Sequence, residues 1–254
     1  MAPLSAMRPR SVRGVLLLAG VAMALAIAAV PPRVARGQGG RSPADSPAPR
    51  ELVVVTHGMG RSVLSMWPIK KALEAEGFEV MTFGYSSYCC SIAEIGEQLR
   101  ADLRQRIGPQ HTRVHFVGHS LGNIVIRYVL TRDTLPPRVG RVVMLAPPNQ
   151  GAHAANTFAS YAGWLLKPVP ELMADSGSTV RKLPRVRDVQ IGVIAARDDR
   201  TVKLPETHLP EETAHLVVAG GHSFIMRRED VKQQTVAFLR TGHFAAATSA
   251  PLAP

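Results

Sequence analysis

Residues 113–122 read Arg-Val-His-Phe-Val-Gly-His-Ser-Leu-Gly. A β-branched apolar run, Arg113–Val117, ends in a glycine-serine-glycine turn, and an amphipathic stretch, Leu121–Thr131, follows at once. A G-x-S-x-G pentapeptide between a strand and a helix is the sequence form of a sharp, strained turn that lifts a serine above the edge of a sheet. Glycine is needed at 118 and 122 because a side chain at either position would collide with neighbouring backbone. The helix behind the turn and the Leu121 N–H provide positive potential where an oxyanion would develop.

The same alternation extends in both directions. Apolar runs recur at Glu51–Thr56, Phe78–Phe83, Arg141–Leu145, Val189–Ala195 and His215–Ala219. They are continuous rather than alternating, as strands covered on both faces should be. Helical stretches lie at Val63–Glu76, Ser91–Ile107 and Arg228–Arg240 as well as behind Ser120. In the second of these, Ile92, Ile95, Leu99, Leu103 and Ile107 recur at spacings of three and four, which makes one apolar face. Pro68 predicts an irregular opening to the first. Strands alternating with helices predict a mostly parallel sheet with right-handed crossovers, and such sheets place ligands at the carboxyl ends of their strands.

The strand ends carry the chemically able residues. The first run ends in Thr56-His57-Gly58-Met59-Gly60, a turn that can aim the Met59 N–H into the cleft as a second oxyanion donor beside Leu121. His57 is placed at the cleft, where holding the loop by hydrogen bonds suits it better than acting as a base. A serine nucleophile needs a base and an acid, and the chain order Ser…Asp…His directs the choice. His222 stands on the glycine-hinged Gly220-Gly221-His222 turn after the sixth run, and Asp198 and Asp199 follow the fifth. Asp199 is preferred to Asp198. Asp188 precedes its strand and lies at the wrong end of the sheet. His208, His215 and His243 are not placed to reach Ser120.

These residues give the chain a likeness. It resembles the α/β-hydrolases, more narrowly their small bacterial lipase/esterase-like branch, through HGMGRS (57–62), FVGHSLGN (116–123), VVMLAPPNQG (142–151) and GGHSFIM (220–226). The resemblance covers about Glu51 to Phe244. It implies an α/β-hydrolase fold with a minimal core of about six mostly parallel strands flanked by helices. It also implies Ser120 as nucleophile, His222 as base, Asp199 as acid, Met59 and Leu121 as oxyanion donors, and Asn149 and Gln150 at the cleft rim. One departure stands out. Relatives commonly follow the acid with glycine, whereas this chain reads Asp198-Asp199-Arg200-Thr201-Val202. Gly151–Arg187 occupies the place of a lid and is too short for a cap domain; Trp164 belongs to this short apolar insertion and is expected to wall the acyl pocket.

The remainder bounds the setting. Of 254 residues, 46% are hydrophobic and 19% charged, which excludes disorder, collagen and a disulfide-stapled miniprotein. The net charge of +11 is uneven: residues 1–37 hold five arginines and no acid, which leaves +6 elsewhere. With aromatics at only 5% and no basic run interleaved with them, nucleic-acid binding is excluded. Arg8, Arg10 and Arg13 precede an uncharged apolar run, Val15–Val30, so residues 1–37 read as a signal peptide cleaved after Ala28 or Gly37, or as an uncleaved anchor. Export to the periplasm or medium is expected, or membrane anchoring in the second case. Residues 38–50 read as a linker, 51–244 as the hydrolase domain and 245–254 as a disordered tail. Cys89 and Cys90 are adjacent and cannot staple distant segments; two free thiols are expected, with a vicinal disulfide as the alternative. No metal or organic cofactor is implied. The expected function is hydrolysis of carboxylic esters, as a lipase or esterase, through a Ser-His-Asp triad and an acyl-enzyme. The expected partners are a small acyl ester or lipid, and a membrane surface. The alternatives are a thioesterase or amidase on the same triad, or a binding scaffold without catalysis.

Overall fold

The computed structural model describes residues 49–132, 139–156 and 167–246. All of them lie in one compact unit, Asp45–Pro254. The expected leader, most of the linker and the last eight residues fall outside the described residues, as do Phe158, Tyr161, Trp164, Leu165 and Leu166 of the insertion.

Six strands form one sheet: β1 (Arg50–Thr56), β2 (Glu79–Phe83), β3 (His111–His119), β4 (Val139–Leu145), β5 (Gln190–Ala196) and β6 (Ala214–Val218). Their order is β2-β1-β3-β4-β5-β6, and every neighbouring pair is parallel. The chain steps from β1 outward to β2, then returns to the other side of β1 as β3. This reversal opens a crevice between the carboxyl ends of β1 and β3, the place where a doubly wound sheet takes its ligand.

Both faces of the sheet are covered, which is why the strands read as unbroken apolar runs. On one face α2 (Ile92–Arg106) and α3 (Leu121–Leu130) pack Ile92, Ile95, Leu99, Leu103, Ile124 and Tyr128 against Leu52, Val54, Phe116 and Val142. On the other, α1 (Trp67–Ala75) and α4 (Glu229–Thr241) bring Ile69, Leu73, Val231 and Phe238 onto Val53, Val55, Val117, Val143 and Ile194. Local chemistry sets the helix ends. Ser91 accepts from the Glu94 N–H while the Glu94 carboxylate accepts from the Ser91 N–H, a capping box that starts α2. Pro68 occupies the first turn of α1, behind a single 3₁₀ turn at Val63–Met66, so the irregular opening expected from Pro68 is present. Gly242 ends α4 in the left-handed conformation. No helix among the described residues is long and apolar enough to cross a membrane.

Candidate active site

Ser120 sits between β3 and α3 with φ +50° and ψ −122°, a conformation that costs a non-glycine residue about 1–3 kcal/mol. Its neighbours enforce it. A Cβ on Gly118 would lie 2.9 Å from the Asn123 nitrogen, and one on Gly122 would lie 2.6 Å from the His57 carbonyl oxygen. Both glycines therefore let backbone pass where any side chain would collide. The Ser120 N–H donates to the Leu145 carbonyl at 3.0 Å, tying the turn to the end of β4.

The three expected functional groups meet here. His222 Nε2 lies 2.9 Å from Ser120 Oγ, and His222 Nδ1 lies 2.7 Å from Asp199 Oδ2. The other carboxylate oxygen of Asp199, Oδ1, accepts from the Thr201 N–H at 2.7 Å and the Val202 N–H at 2.8 Å. The Asp199 side chain is only 1% exposed, so these bonds replace the water a buried carboxylate would otherwise lose. They also explain the absent glycine. The turn closes through the aspartate side chain, and position 200 does not enter the positive-φ region. Asp198 points elsewhere: it is exposed, and its Oδ2 accepts from the Gly220 N–H at 3.1 Å.

The side of the cavity expected to meet an oxyanion is built by the turn after β1. Met59 lines the same cavity as Ser120 and His222, and Leu121 is the first residue of α3, where N–H groups have no partner within the helix. The turn is braced from beneath. His57 stacks on Tyr85 with ring centroids 4.2 Å apart, Tyr85 Oη donates to the His57 carbonyl at 2.6 Å, and the Gly60 N–H donates to Ser87 Oγ at 2.8 Å. Burial lowers the pKa of His57, and its Nδ1 lies 2.8 Å from the Gly58 carbonyl, so the neutral ring donates there.

Three expectations about the cleft rim are corrected. His57 does not line the cavity; it is buried beneath the loop it holds. Asn149 is buried too, with Nδ2 donating to the Thr207 carbonyl at 2.7 Å and its own carbonyl accepting from Arg127 at 3.1 Å. Gln150 is drawn off the cleft by the His208 carbonyl at 2.9 Å and by Arg181 at 3.2 Å. Trp164 lies outside the described residues. The cavity, about 530 Å³, is walled instead by Met59, Pro148, Ala152, Ala155, Val169 and Leu172, with Tyr88 among its other lining residues. The insertion after β4 thus contributes apolar wall through Ala152, Ala155, Val169 and Leu172, as expected of a lid-like segment. Cys89 and Cys90, next to Tyr88, are joined as a vicinal disulfide, not held as the two thiols expected.

One functional contact was not visible in the sequence. His119, inside the pentapeptide, places Nε2 2.9 Å from the His222 carbonyl oxygen, so it donates to the backbone of the residue that faces Ser120. Burial pushes its pKa down to about 3, and burial pushes that of His115 down to about 4. Both rings are neutral in the native state. An unfolded chain protonates them near their ordinary value of about 6.5, so below that pH the unfolded state binds the extra protons. The stability held in these two burials is complete above about pH 6.5 and drains as pH falls toward 4. The thermal midpoint should therefore drop on acidification through this window. His115→Gln should flatten part of that slope, as scanning calorimetry across pH would record.

A strained serine turn after β3, an aspartate after β5 and a histidine after β6, on a sheet whose order reverses at β1, define an α/β-hydrolase fold. The palmitoyl protein thioesterase family model matches residues 52–188, and the chain belongs to that family. The matched span includes Met59 and Ser120, while Asp199 and His222 lie beyond it. No curated protein matches the sequence significantly. Among solved structures, the mature lipase BlEst2 of Bacillus licheniformis is 17% identical, with 78% of this chain and 94% of that chain covered and a TM-score of 0.59. The Pyrococcus furiosus esterase Pf2001 is 21% identical, with 76% and 83% covered and a TM-score of 0.57. Tomato methylketone synthase I, as its H243A variant, is 13% identical, with 76% and 98% covered and a TM-score of 0.53. These likenesses are of fold, on which the chemistry of a site is set separately.

Proposed function

We propose that the protein is an exported serine hydrolase that removes apolar acyl groups from thioesters and carboxylic esters. The observation that carries this reading is the Asp199–His222–Ser120 chain of hydrogen bonds, 2.7 and 2.9 Å long, ending in an apolar cavity. In this mechanism Ser120 Oγ attacks the acyl carbonyl as His222 Nε2 takes its proton. The oxyanion is met by the Leu121 and Met59 N–H groups at the start of α3 and after β1. His222 then protonates the leaving thiolate or alkoxide, and water releases the acid by the same steps in reverse. Asp199 keeps the proton on Nδ1 and steadies the imidazolium. Membership of a palmitoyl thioesterase family favours the thioester as the bond met in the cell. Export rests on the basic, then apolar, leader at residues 1–37.

An acyl series on a thiol and an alcohol leaving group tests the reading. Each methylene buried against Val169 and Leu172 is worth about 0.8 kcal/mol, so kcat/KM should rise up to about fourfold per added carbon until the cavity is full. Thioesters and oxyesters should share that profile, because the acyl half is common to both. A flat response to chain length would remove the cavity from the acyl role, and no hydrolysis of either bond would leave a binding scaffold.

A further inference from the structure

Five large apolar side chains are exposed among the described residues: Leu64, Trp67, Tyr88, Val217 and Phe224. Val217 belongs to the edge strand β6. The other four come from three segments that follow the carboxyl ends of β1, β2 and β6, the end of the sheet where the cavity lies. Exposed apolar residues scattered singly are ordinary, whereas a cluster on one face marks an interaction site.

Contacts tie Leu64, Tyr88 and Phe224 to two arginines along one rim. The guanidinium of Arg61 lies 5.5 Å from the centroid of the Phe224 ring, and that of Arg227 lies 4.9 Å from it. A shallow groove lined by Arg61, Leu64 and Arg227 joins Phe224 to the turn that precedes α1, where Trp67 follows Leu64 by three residues. Arg61 and Tyr88 are also part of the wall of the active-site cavity, so the rim is continuous with its mouth. Among the described residues neither Arg61 nor Arg227 forms an ion pair, whereas the adjacent Arg228 is neutralised by Asp230 at 2.7 Å. The rim therefore offers apolar tips with two uncompensated positive charges between them.

We infer that this rim is a membrane-docking surface, which seats the cavity mouth on a bilayer carrying anionic headgroups. Two features favour a bilayer over a protein partner. The apolar tips project from separate segments, Leu64 being 76% and Phe224 56% exposed. Such tips enter a fluid interface without a matching pocket, whereas a protein partner would need one for each. Arginine among aromatic and aliphatic side chains is also the composition that settles at the headgroup level, with the charge held by lipid phosphate. Docking there would bring an acyl chain leaving the bilayer directly to the cavity wall at Tyr88.

Trp67 reports on this surface. In full-length protein carrying Trp164→Phe it is the only tryptophan, and a Ser120→Ala background keeps the lipid intact. Vesicles of equal parts phosphatidylcholine and phosphatidylglycerol, brominated in the acyl chains, should shift Trp67 emission to shorter wavelength and quench it. Pure phosphatidylcholine should do so less, and added salt should weaken the effect. Arg227→Glu should lower vesicle affinity on the order of tenfold, and Leu64→Ser should reduce the quenching. The apolar run Val15–Val30 can hold the chain on vesicles by itself, and the rim substitutions, which leave that run unchanged, separate its contribution from that of the rim. Absence of quenching overturns the proposal, as does quenching indifferent to both substitutions. A Trp67 shift that grows with protein concentration without lipid would assign the rim to a second copy and overturn it too. The measurement needs no turnover, so its result is separate from that of the acyl-hydrolase reading.

Discussion

Ser120→Ala is expected to abolish hydrolysis of every acyl substrate, with a loss on the order of 10⁶ in kcat, the scale seen when a serine hydrolase loses its nucleophile. In the proposed mechanism Ser120 Oγ is both the attacking atom and the site of the covalent intermediate, so no neighbouring group would replace it. Stability should be spared. The Ser120 hydroxyl caps no helix N–H, and alanine keeps the same Cβ in the same strained turn. The strain at φ +50° is thus carried equally by the variant, and its thermal midpoint should match wild type within experimental error. Labelling by a fluorescent phosphonate should vanish together with turnover. A variant that keeps a tenth of wild-type activity would remove Ser120 from the role of nucleophile.

Asp199→Asn should lower kcat on the order of 10⁴, the penalty for losing the carboxylate that sets the histidine tautomer. An amide in this position offers either an oxygen without full charge or an NH₂ that faces the His222 Nδ1–H. The second arrangement pushes the proton to Nε2, where it can no longer accept from Ser120 Oγ. The Thr201 and Val202 N–H groups hold Oδ1 and so tend to turn the NH₂ toward the histidine. Asp198→Asn should cost little, because its carboxylate serves only the Gly220 N–H on the exposed side of the loop. Steady-state rates of the two variants on one short-chain thioester decide the matter. The reverse order would move the acid to Asp198, and near-wild-type rates in both would take this loop out of the mechanism.

Legibility in the sequence follows how local each feature is. The strands were plain because a parallel sheet covered on both faces makes every position apolar, and Val53 and Val54 go into opposite cores with equal burial. The elbow was plain because Gly118 and Gly122 are demanded by contacts within the motif or with the turn after β1. Asp199 faces His222 as the strand-end order led one to expect, and the Thr201 and Val202 N–H groups that hold its other oxygen follow it by only two and three residues. The cleft rim was not. Asn149 and Gln150 follow Ala146, whose φ of +44° redirects the chain after β4, and their side chains were claimed by Thr207, His208 and Arg181 from distant segments.

By itself, then, the sequence determined what repeats along the chain: the strand–helix alternation, the parallel sheet, and a serine, an aspartate and a histidine at successive strand ends in hydrolase order. Each of these follows from hydrophobic period or from turn chemistry over a few residues. The tertiary structure alone decided which partner each polar group meets. It buried His57 behind Tyr85, gave the His222 carbonyl to His119, turned Asp198 outward, and brought Arg61 against Phe224 and Arg227 into one groove with Leu64. Those outcomes depend on groups 22 to more than 100 residues apart in the chain. Hydrogen-bond direction and close approach at such separations are set by how whole layers pack, and no local pattern carries them.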